Sequence, residues 1–177
     1  MRFIRDHDLE EKYEKFFMEN YPRVKAFAKQ ILLSNQDAED IAQDVFLKLM
    51  DKPEIWKDEE QKDGYLYKTT KNHIFNFIKR RNIERKYKEE TVFDYAVTED
   101  FGLEEKLYVK EIRLIAAHII EQMPDTRKKI FKMSRYEGKS NRQIAEIMNM
   151  SVRTVEHHIY LALANLKKTL NLYSSIK

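Results

Sequence analysis

The sequence contains no cysteine, only three glycines and three prolines, and one tryptophan among its 177 residues. Without cysteine the chain can form neither a disulfide framework nor a thiolate metal site, which fits a reducing cytoplasm. The scarcity of glycine and proline leaves few positions for tight turns. No stretch approaches the roughly 20 apolar residues of a membrane span, and the first residues lack the apolar segment of a signal peptide. These absences predict a soluble cytoplasmic protein without membrane insertion.

Charged residues make up 36% of the chain and alternate in sign from block to block. Residues 37–60 hold nine acids and three bases, whereas residues 66–88 hold eight bases and one acid. Residues 89–111 hold eight acids and two bases, and residues 125–177 hold eleven bases and four acids. Such blocks indicate two basic surfaces for a polyanion and acidic surfaces for another partner. Four solvated helix faces would account for the same pattern.

Apolar residues recur with helical spacing along most of the chain, and the composition favours helices over strands. The pattern predicts one helix before Pro22 and a second helix that begins there, because proline is tolerated in a first turn. A third helix is predicted from Asn35 to about Lys52, and a long one from about Tyr65 to Tyr87. The residues between them, from about Glu54 to Gly64, are predicted to form a loop.

The periodicity fades over residues 89–101, where acids accumulate, so these residues are predicted to be a linker. A helix follows from about Gly102 to Gln122, and Met123-Pro124 ends it. Asp125 is then expected to cap the next helix. The sequence therefore predicts an all-α fold of two small helical domains, residues 1–88 and 102–177, joined by the acidic linker 89–101.

The C-terminal half carries the pattern of a helix-turn-helix. Ser140, followed three residues later by Gln143, matches a capping box at the start of a short helix. Asn149-Met150-Ser151 then forms a predicted tight turn, in which Met150 fills the angle between the helices and Ser151 caps the second one. An amphipathic helix pair facing water is the alternative interpretation.

In such a motif the second helix enters the major groove of duplex DNA, and the basic residues around it bind DNA phosphates. Arg153 is the best candidate for a guanine contact. The adjacent His157-His158 pair is not expected to bind metal, because neighbouring helical positions point about 100° apart and no third ligand is near. The full set of candidate duplex contacts is Arg142, Ser151, Arg153, Thr154, Glu156, His157, His158 and Tyr160.

Three segments resemble the sigma-70 family. Residues 37–46, with the sequence DAEDIAQDVF, are similar to its region 2.2. Residues 64–72, continuing to the basic run 79–81, resemble the promoter-reading helix that follows. Residues 123–166 resemble region 4, which carries the helix-turn-helix. The order of the segments and the linker between them match the small extracytoplasmic-function (ECF) group, which retains only regions 2 and 4.

The resemblance implies a polymerase-binding face on the third helix. In the family this surface binds a coiled coil of the large polymerase subunit, and acids with an amide suit arginine-rich helices. Phe46 would add an apolar anchor. The expected polymerase contacts are Asp37, Glu39, Asp40, Gln43, Asp44 and Phe46.

The resemblance also assigns the long helix and the loop before it to the −10 promoter element, whose strands separate as the promoter opens. Asn72 matches an asparagine of the family, whereas Tyr65 replaces a usual tryptophan and Asn76 a common aspartate. Trp56 either shapes a pocket in the loop or packs beneath it as a hydrophobic staple. Most of Leu66, Thr70, Phe77 and Ile78 are expected to be buried. The expected −10 contacts are Trp56, Tyr65, Lys68, Thr69, Lys71, Asn72, Asn76, Lys79 and Arg80.

These expectations together describe an RNA polymerase sigma factor that directs promoter-specific initiation and catalyses nothing. Its expected partners are core RNA polymerase and promoter DNA, with an anti-sigma factor as a further candidate that no residue identifies. No cofactor, metal or small-molecule substrate is expected, because no phosphate loop, nucleophile motif or metal set is present. A helix-turn-helix regulator of response-regulator type is the alternative, although residues 1–100 lack the strand–helix alternation of its usual phosphoacceptor domain.

Overall fold

The structure is a computed structural model, which describes residues 7–58, 60–86 and 103–175. Within these ranges the chain forms helices and no strand, so the predicted all-α class is confirmed. The helices are α1 (His7–Leu32), α2 (Asn35–Met50), α3 (Pro53–Trp56), α4 (Lys62–Lys86), α5 (Leu103–Glu121), α6 (Asp125–Arg135), α7 (Asn141–Met148) and α8 (Val152–Ser174).

The contacts divide the chain into two compact units, one of residues 1–94 with 173–177 and the other of residues 95–172. The predicted linker 89–101 lies outside the described residues. Among the described residues, no helix combines the length and the apolar character that a bilayer crossing requires.

Helix α1 is continuous, which corrects the prediction of two helices meeting at Pro22. Pro22 lies inside the helix on an exposed face. Proline has no N–H to donate, and on this face water can bind the main-chain carbonyl oxygen that is left without a helical donor. Phe16 precedes it, and Val24, Phe27 and Ala28 follow it, all buried along one side. Burying this unbroken apolar stripe offsets the roughly 3 kcal/mol that an internal proline costs.

The first unit packs α2 and α4 against α1. Val45 of α2 and Leu66, Ile74 and Ile78 of α4 are fully or almost fully buried in its core. Thr70 is buried as well and donates its hydroxyl to the Leu66 carbonyl oxygen at 2.8 Å. The expected burial of most of this set is confirmed, and only Phe77 is half-buried.

The predicted loop before α4 contains a short helix, α3, and ends earlier than expected, because α4 begins at Lys62. Pro53 stands at the first turn of α3. Trp56, at its end, packs against Tyr13 and Phe16, with ring centroids 5.4 and 6.1 Å away. Burial of this ring anchors an otherwise polar segment to α1.

In the second unit, α6, α7 and the start of α8 share an apolar core. Its buried members are Ile130, Met133, Ile144, Ala145 and Val155. Asp125 does not cap α6 as predicted, since Pro124 occupies the N-cap position without a side-chain bond. Asp125 instead lies in the first turn, fully exposed, where its charge is favourable near the positive end of the helix dipole.

Candidate nucleic-acid interface

Both predicted caps of the helix-turn-helix are present. Ser140 Oγ accepts the Gln143 main-chain N–H, and Gln143 Oε1 accepts the Ser140 main-chain N–H at 2.9 Å, which completes the capping box of α7. Ser151 Oγ accepts the Thr154 main-chain N–H at 3.1 Å at the start of α8. These bonds satisfy donors that a helix start leaves without a partner.

The turn between α7 and α8 depends on Asn149. This residue adopts a left-handed conformation, with φ 49° and ψ 53°, which asparagine tolerates better than most residues. The Met150 N–H then donates to the Ala145 carbonyl oxygen at 3.0 Å, and its side chain packs against the core shared by the helices. The expected role of Met150 in the angle between the helices is therefore confirmed.

The first turns of α8 present a polar face. Arg153, Thr154, Glu156, His157 and Tyr160 are all exposed, as a base-contacting helix requires. The Thr154 hydroxyl is bonded to Ser151 Oγ at 2.8 Å, so these two hydroxyls already share one hydrogen bond. His158 differs from the rest, because it is half-buried and its Nδ1 is covered without a hydrogen-bond partner.

The basic residues around this motif fall into two groups. Glu121 binds Lys132 at 2.6 Å and Lys128 at 3.7 Å, which ties the end of α5 to α6. Lys139 pairs with Glu137. By contrast, no ion pair within the described part of the chain holds the exposed residues Lys129, Arg135 and Arg142. The positive charge that is available to bind DNA phosphates therefore comes mainly from Lys129, Arg135 and Arg142.

Helix α4 carries a separate exposed stripe. Lys68, Asn72, Asn76, Lys79 and Arg80 are exposed at spacings of three or four residues, which places them along one side of the helix. The side chain of Asn72 lies in the middle of this stripe. The basic side chains at the two ends of the stripe can bind DNA phosphates, while the amides between them bind the edges of nucleobases.

The other residues expected beside this stripe are placed differently. Thr69 is only 5% exposed and Trp56 only 4%, so neither side chain is available for DNA contact. For Trp56 the hydrophobic staple is the interpretation that the packing supports. Lys71 and Tyr65 are half-buried at the border of the stripe, and the Tyr65 hydroxyl accepts a bond from Lys52 Nζ at 3.2 Å. That bond holds the pKa of Tyr65 below its usual value.

The outward face of α2 is acidic at its middle and apolar towards its end. Asp40, Gln43 and Asp44 are exposed. Phe46 is 2% exposed and packs on the rings of α1, so the expected surface contact of Phe46 is wrong. Leu47 is an exposed apolar side chain at this place, at 63% exposure, and it was not predicted from the sequence. Leu47 lies one helical turn after Gln43 and Asp44, and this spacing alone places it on the same exposed side of α2.

Two further acids of α2 bind partners within the first unit. Asp37 Oδ2 accepts a bond from Arg81 Nη1 of α4 at 2.8 Å. Glu39 Oε2 accepts one from Lys25 Nζ of α1 at 2.9 Å. These pairs fix α2 between its neighbours and commit both carboxylates to intramolecular bonds.

His73 lies where α4 packs against α2. It is half-buried, and burial lowers its pKa, with the nearby charge of Lys48 acting in the same direction. The imidazole is therefore neutral at pH 7, and this packed surface gains no additional positive charge.

Comparison with known proteins gives two matches. Residues 16–83 match the family model described as Sigma-70 region 2, and residues 113–166 match the one described as Sigma-70, region 4. The first match contains α2 and most of α4, and the second contains α7 and the start of α8, which form the helix-turn-helix. No curated protein matches the chain.

Proposed function

The chain belongs to the sigma-70 family, in its ECF group, and from this premise we propose which of its surfaces binds each partner during transcription initiation. It is a sigma factor, a non-catalytic transcription protein that interacts with core RNA polymerase and promoter DNA. In the proposed arrangement the region 2 unit binds polymerase and the melted −10 element, and the region 4 unit binds the −35 element as duplex. An anti-sigma factor is a further candidate partner.

The exposed stripe of α4 carries this proposal. A base displaced from duplex DNA offers an edge for hydrogen bonds, which Asn72 and Asn76 can read, and a face for stacking. Lys68, Lys79 and Arg80 supply charge for the phosphates on either side. Tyr65, half-buried at the border of the stripe, offers an aromatic ring for stacking, which is worth about 1–3 kcal/mol per base.

The region 4 unit is proposed to place the start of α8 in the major groove. Arg153 would donate to a guanine edge, which typically discriminates by about 1–3 kcal/mol. Lys129, Arg135 and Arg142 would bind phosphates and set the register of the helix on the duplex. Ser151 would act mainly as the cap of this helix, because its hydroxyl is already bonded to Thr154.

The proposed polymerase contacts are Asp40, Gln43 and Asp44, with Leu47 as the apolar residue beside them. A charged, partly apolar face of this kind suits a helical partner rich in arginine. A regulator of response-regulator type is disfavoured, since the described part of residues 1–100 is helical and contains no strand of an α/β phosphoacceptor domain.

Gel filtration of the full chain with bacterial core RNA polymerase tests the proposal. The native chain should co-elute with polymerase, and Asp44→Arg should bind at least about tenfold more weakly, because like charges placed together at an interface cost several kcal/mol. Glu14→Arg makes the same charge change at an exposed position of α1 and should co-elute like the native chain. A native chain that stays free of polymerase yet binds duplex DNA alone would favour the regulator instead.

A further inference from the structure

The ion pair between Asp37 and Arg81 joins the acidic helix to the basic end of α4. Arg81 Nη1 lies 2.8 Å from Asp37 Oδ2, and the guanidinium carbon lies 5.6 Å from the centre of the Phe77 ring. The carboxylate and the ring therefore hold the planar guanidinium from two sides. These two contacts reduce the number of rotamers that the arginine side chain samples.

Arg81 keeps binding capacity while it is held in this way. Its side chain remains 41% exposed, whereas that of Asp37 is 21% exposed. The Asp37 bond uses one of the five N–H donors of the guanidinium, and the remaining donors can bind a second anion. Arg81 directly follows Lys79 and Arg80, the exposed bases at the end of the α4 stripe.

We propose that Arg81 is a further phosphate contact of α4 and that Asp37 is its positioning residue, acting on DNA binding through Arg81 rather than touching polymerase. This inference rests on the proposed function of α4 as a DNA-binding helix. Because Asp37 and Phe77 already order the guanidinium, its contact with a phosphate costs less side-chain entropy than that of a free arginine. Helix α2 would then serve both partners with different residues, polymerase through Asp40, Gln43 and Asp44, and DNA through the effect of Asp37 on Arg81.

The second ion pair of α2 provides a matched control. Glu39 and Lys25 are joined at 2.9 Å, as closely as Asp37 and Arg81, but Lys25 belongs to α1 and not to the stripe of α4. Asp37→Asn and Glu39→Gln each remove one negative charge from the same helix. Any general gain in attraction for DNA is therefore similar in the two variants, and their difference reports the positioning of Arg81.

The experiment measures fluorescence anisotropy of a labelled 20-nucleotide oligothymidylate with the full chain, over a series of salt concentrations. Arg81→Gln should weaken binding about fivefold at 0.1 M salt and reduce the salt slope by about 0.7, the loss of one phosphate contact on single-stranded DNA. Asp37→Asn should bind about two- to threefold more weakly than Glu39→Gln and keep the native slope, because Arg81 is still present. The double variant Asp37→Asn/Arg81→Gln should bind no more weakly than Arg81→Gln.

A purely structural ion pair would give a different pattern. Asp37→Asn and Glu39→Gln would then lower the melting temperature to similar extents and leave equal affinities, which would overturn the role of Asp37. Arg81→Lys should restore the salt slope, and its failure to do so would overturn the phosphate contact. Lys79→Gln tests the underlying function: if it weakens binding and Arg81→Gln does not, only the further inference fails, whereas unchanged binding in both variants removes the DNA-binding role of α4.

Discussion

The hydroxyl of Tyr13 donates to the main-chain carbonyl oxygen of Phe46 at 2.5 Å, which ties the first half of α1 to the last turns of α2. The ring of Tyr13 also packs edge-on against Trp56 of α3. Burial raises the pKa of Tyr13 to about 12, and the negative charge of Asp51 adds to this effect. One side chain thus connects three helices, and its bond to α2 forms only while its hydroxyl is protonated.

Tyr13→Phe is expected to lower the free energy of unfolding by about 1 kcal/mol at pH 7, the usual contribution of one hydrogen bond. Because the pKa of Tyr13 is higher in the folded chain than its ordinary 10, the folded state retains the proton more tightly. The stabilisation is complete below pH 10 and is lost as pH rises from about 10 through 12. Urea unfolding of both proteins across this range should show their difference shrinking, whereas a constant difference would contradict the assignment.

Burial of single side chains separates the candidate contact residues that a partner can reach from those that it cannot. The amide and basic residues expected on α4, such as Asn72 and Lys79, are exposed as a DNA contact requires. Phe46, Trp56 and Thr69 were expected at surfaces and lie in the core. Aromatic and threonine side chains serve equally well in a core or at an interface, so their type alone does not decide which neighbours cover them.

Among the elements, α1 shows how packing overrides a local signal. Proline inside a helix normally predicts a boundary, yet α1 continues through Pro22 because the apolar stripe on both sides is buried against α2 and α4. The helix-turn-helix is the opposite case. Its caps at Ser140 and Ser151 and its turn at Asn149 are local, and the sequence alone was enough to locate them.

Pro22→Ala is expected to stabilise the first unit. Alanine restores the missing N–H and is about 3 kcal/mol more favourable than proline within a helix, while the greater freedom of the unfolded chain offsets about 1 kcal/mol. Urea unfolding should therefore show a higher midpoint with an unchanged slope, for a net gain of about 2 kcal/mol. Lys29→Ala, at an exposed position later in α1, should change the midpoint little. A midpoint that falls in Pro22→Ala would mean that the proline shapes α1 in a way the core requires.

For the whole molecule, the alternation of charge along the chain matches the partner that we propose for each surface. The basic blocks at residues 66–88 and 125–177 include most of the two proposed DNA-binding elements, and the acidic block at 37–60 includes most of α2, the proposed polymerase-binding helix. The second acidic block, at 89–111, overlaps the linker 89–101, which lies outside the described residues. The resemblance to the ECF group implies that this segment runs near the RNA exit path, and we propose that its negative charge mimics nucleic acid there.

Replacing Glu99, Asp100, Glu104 and Glu105 with their amides is expected to lower initiation by holoenzyme while polymerase binding stays unchanged, since α2 is untouched. Run-off transcription on a promoter selected with the native chain measures the first effect, and gel filtration the second. Amide replacement of Asp8, Glu10, Glu11 and Glu14 in α1 is the control, because it removes the same charge elsewhere. Glu99 and Asp100 belong to the linker, and Glu104 and Glu105 to the first turn of α5. Unchanged initiation in this four-residue variant would remove the proposed role of the acidic charge.

The sequence by itself determined the helical class, the family, the caps and turn of the DNA-binding motif and the order of the charged blocks. Each of these depends on residues close together in the chain or on a periodic pattern, so no distant neighbour has to be known. Only the tertiary structure decided which charges remain available for partners. Asp37 and Arg81 are 44 positions apart, and Glu39 and Lys25 belong to different helices. Whether such groups face a partner or one another depends on which helices pack together, because a charge on a helix surface binds the nearest opposite charge that the fold brings to it.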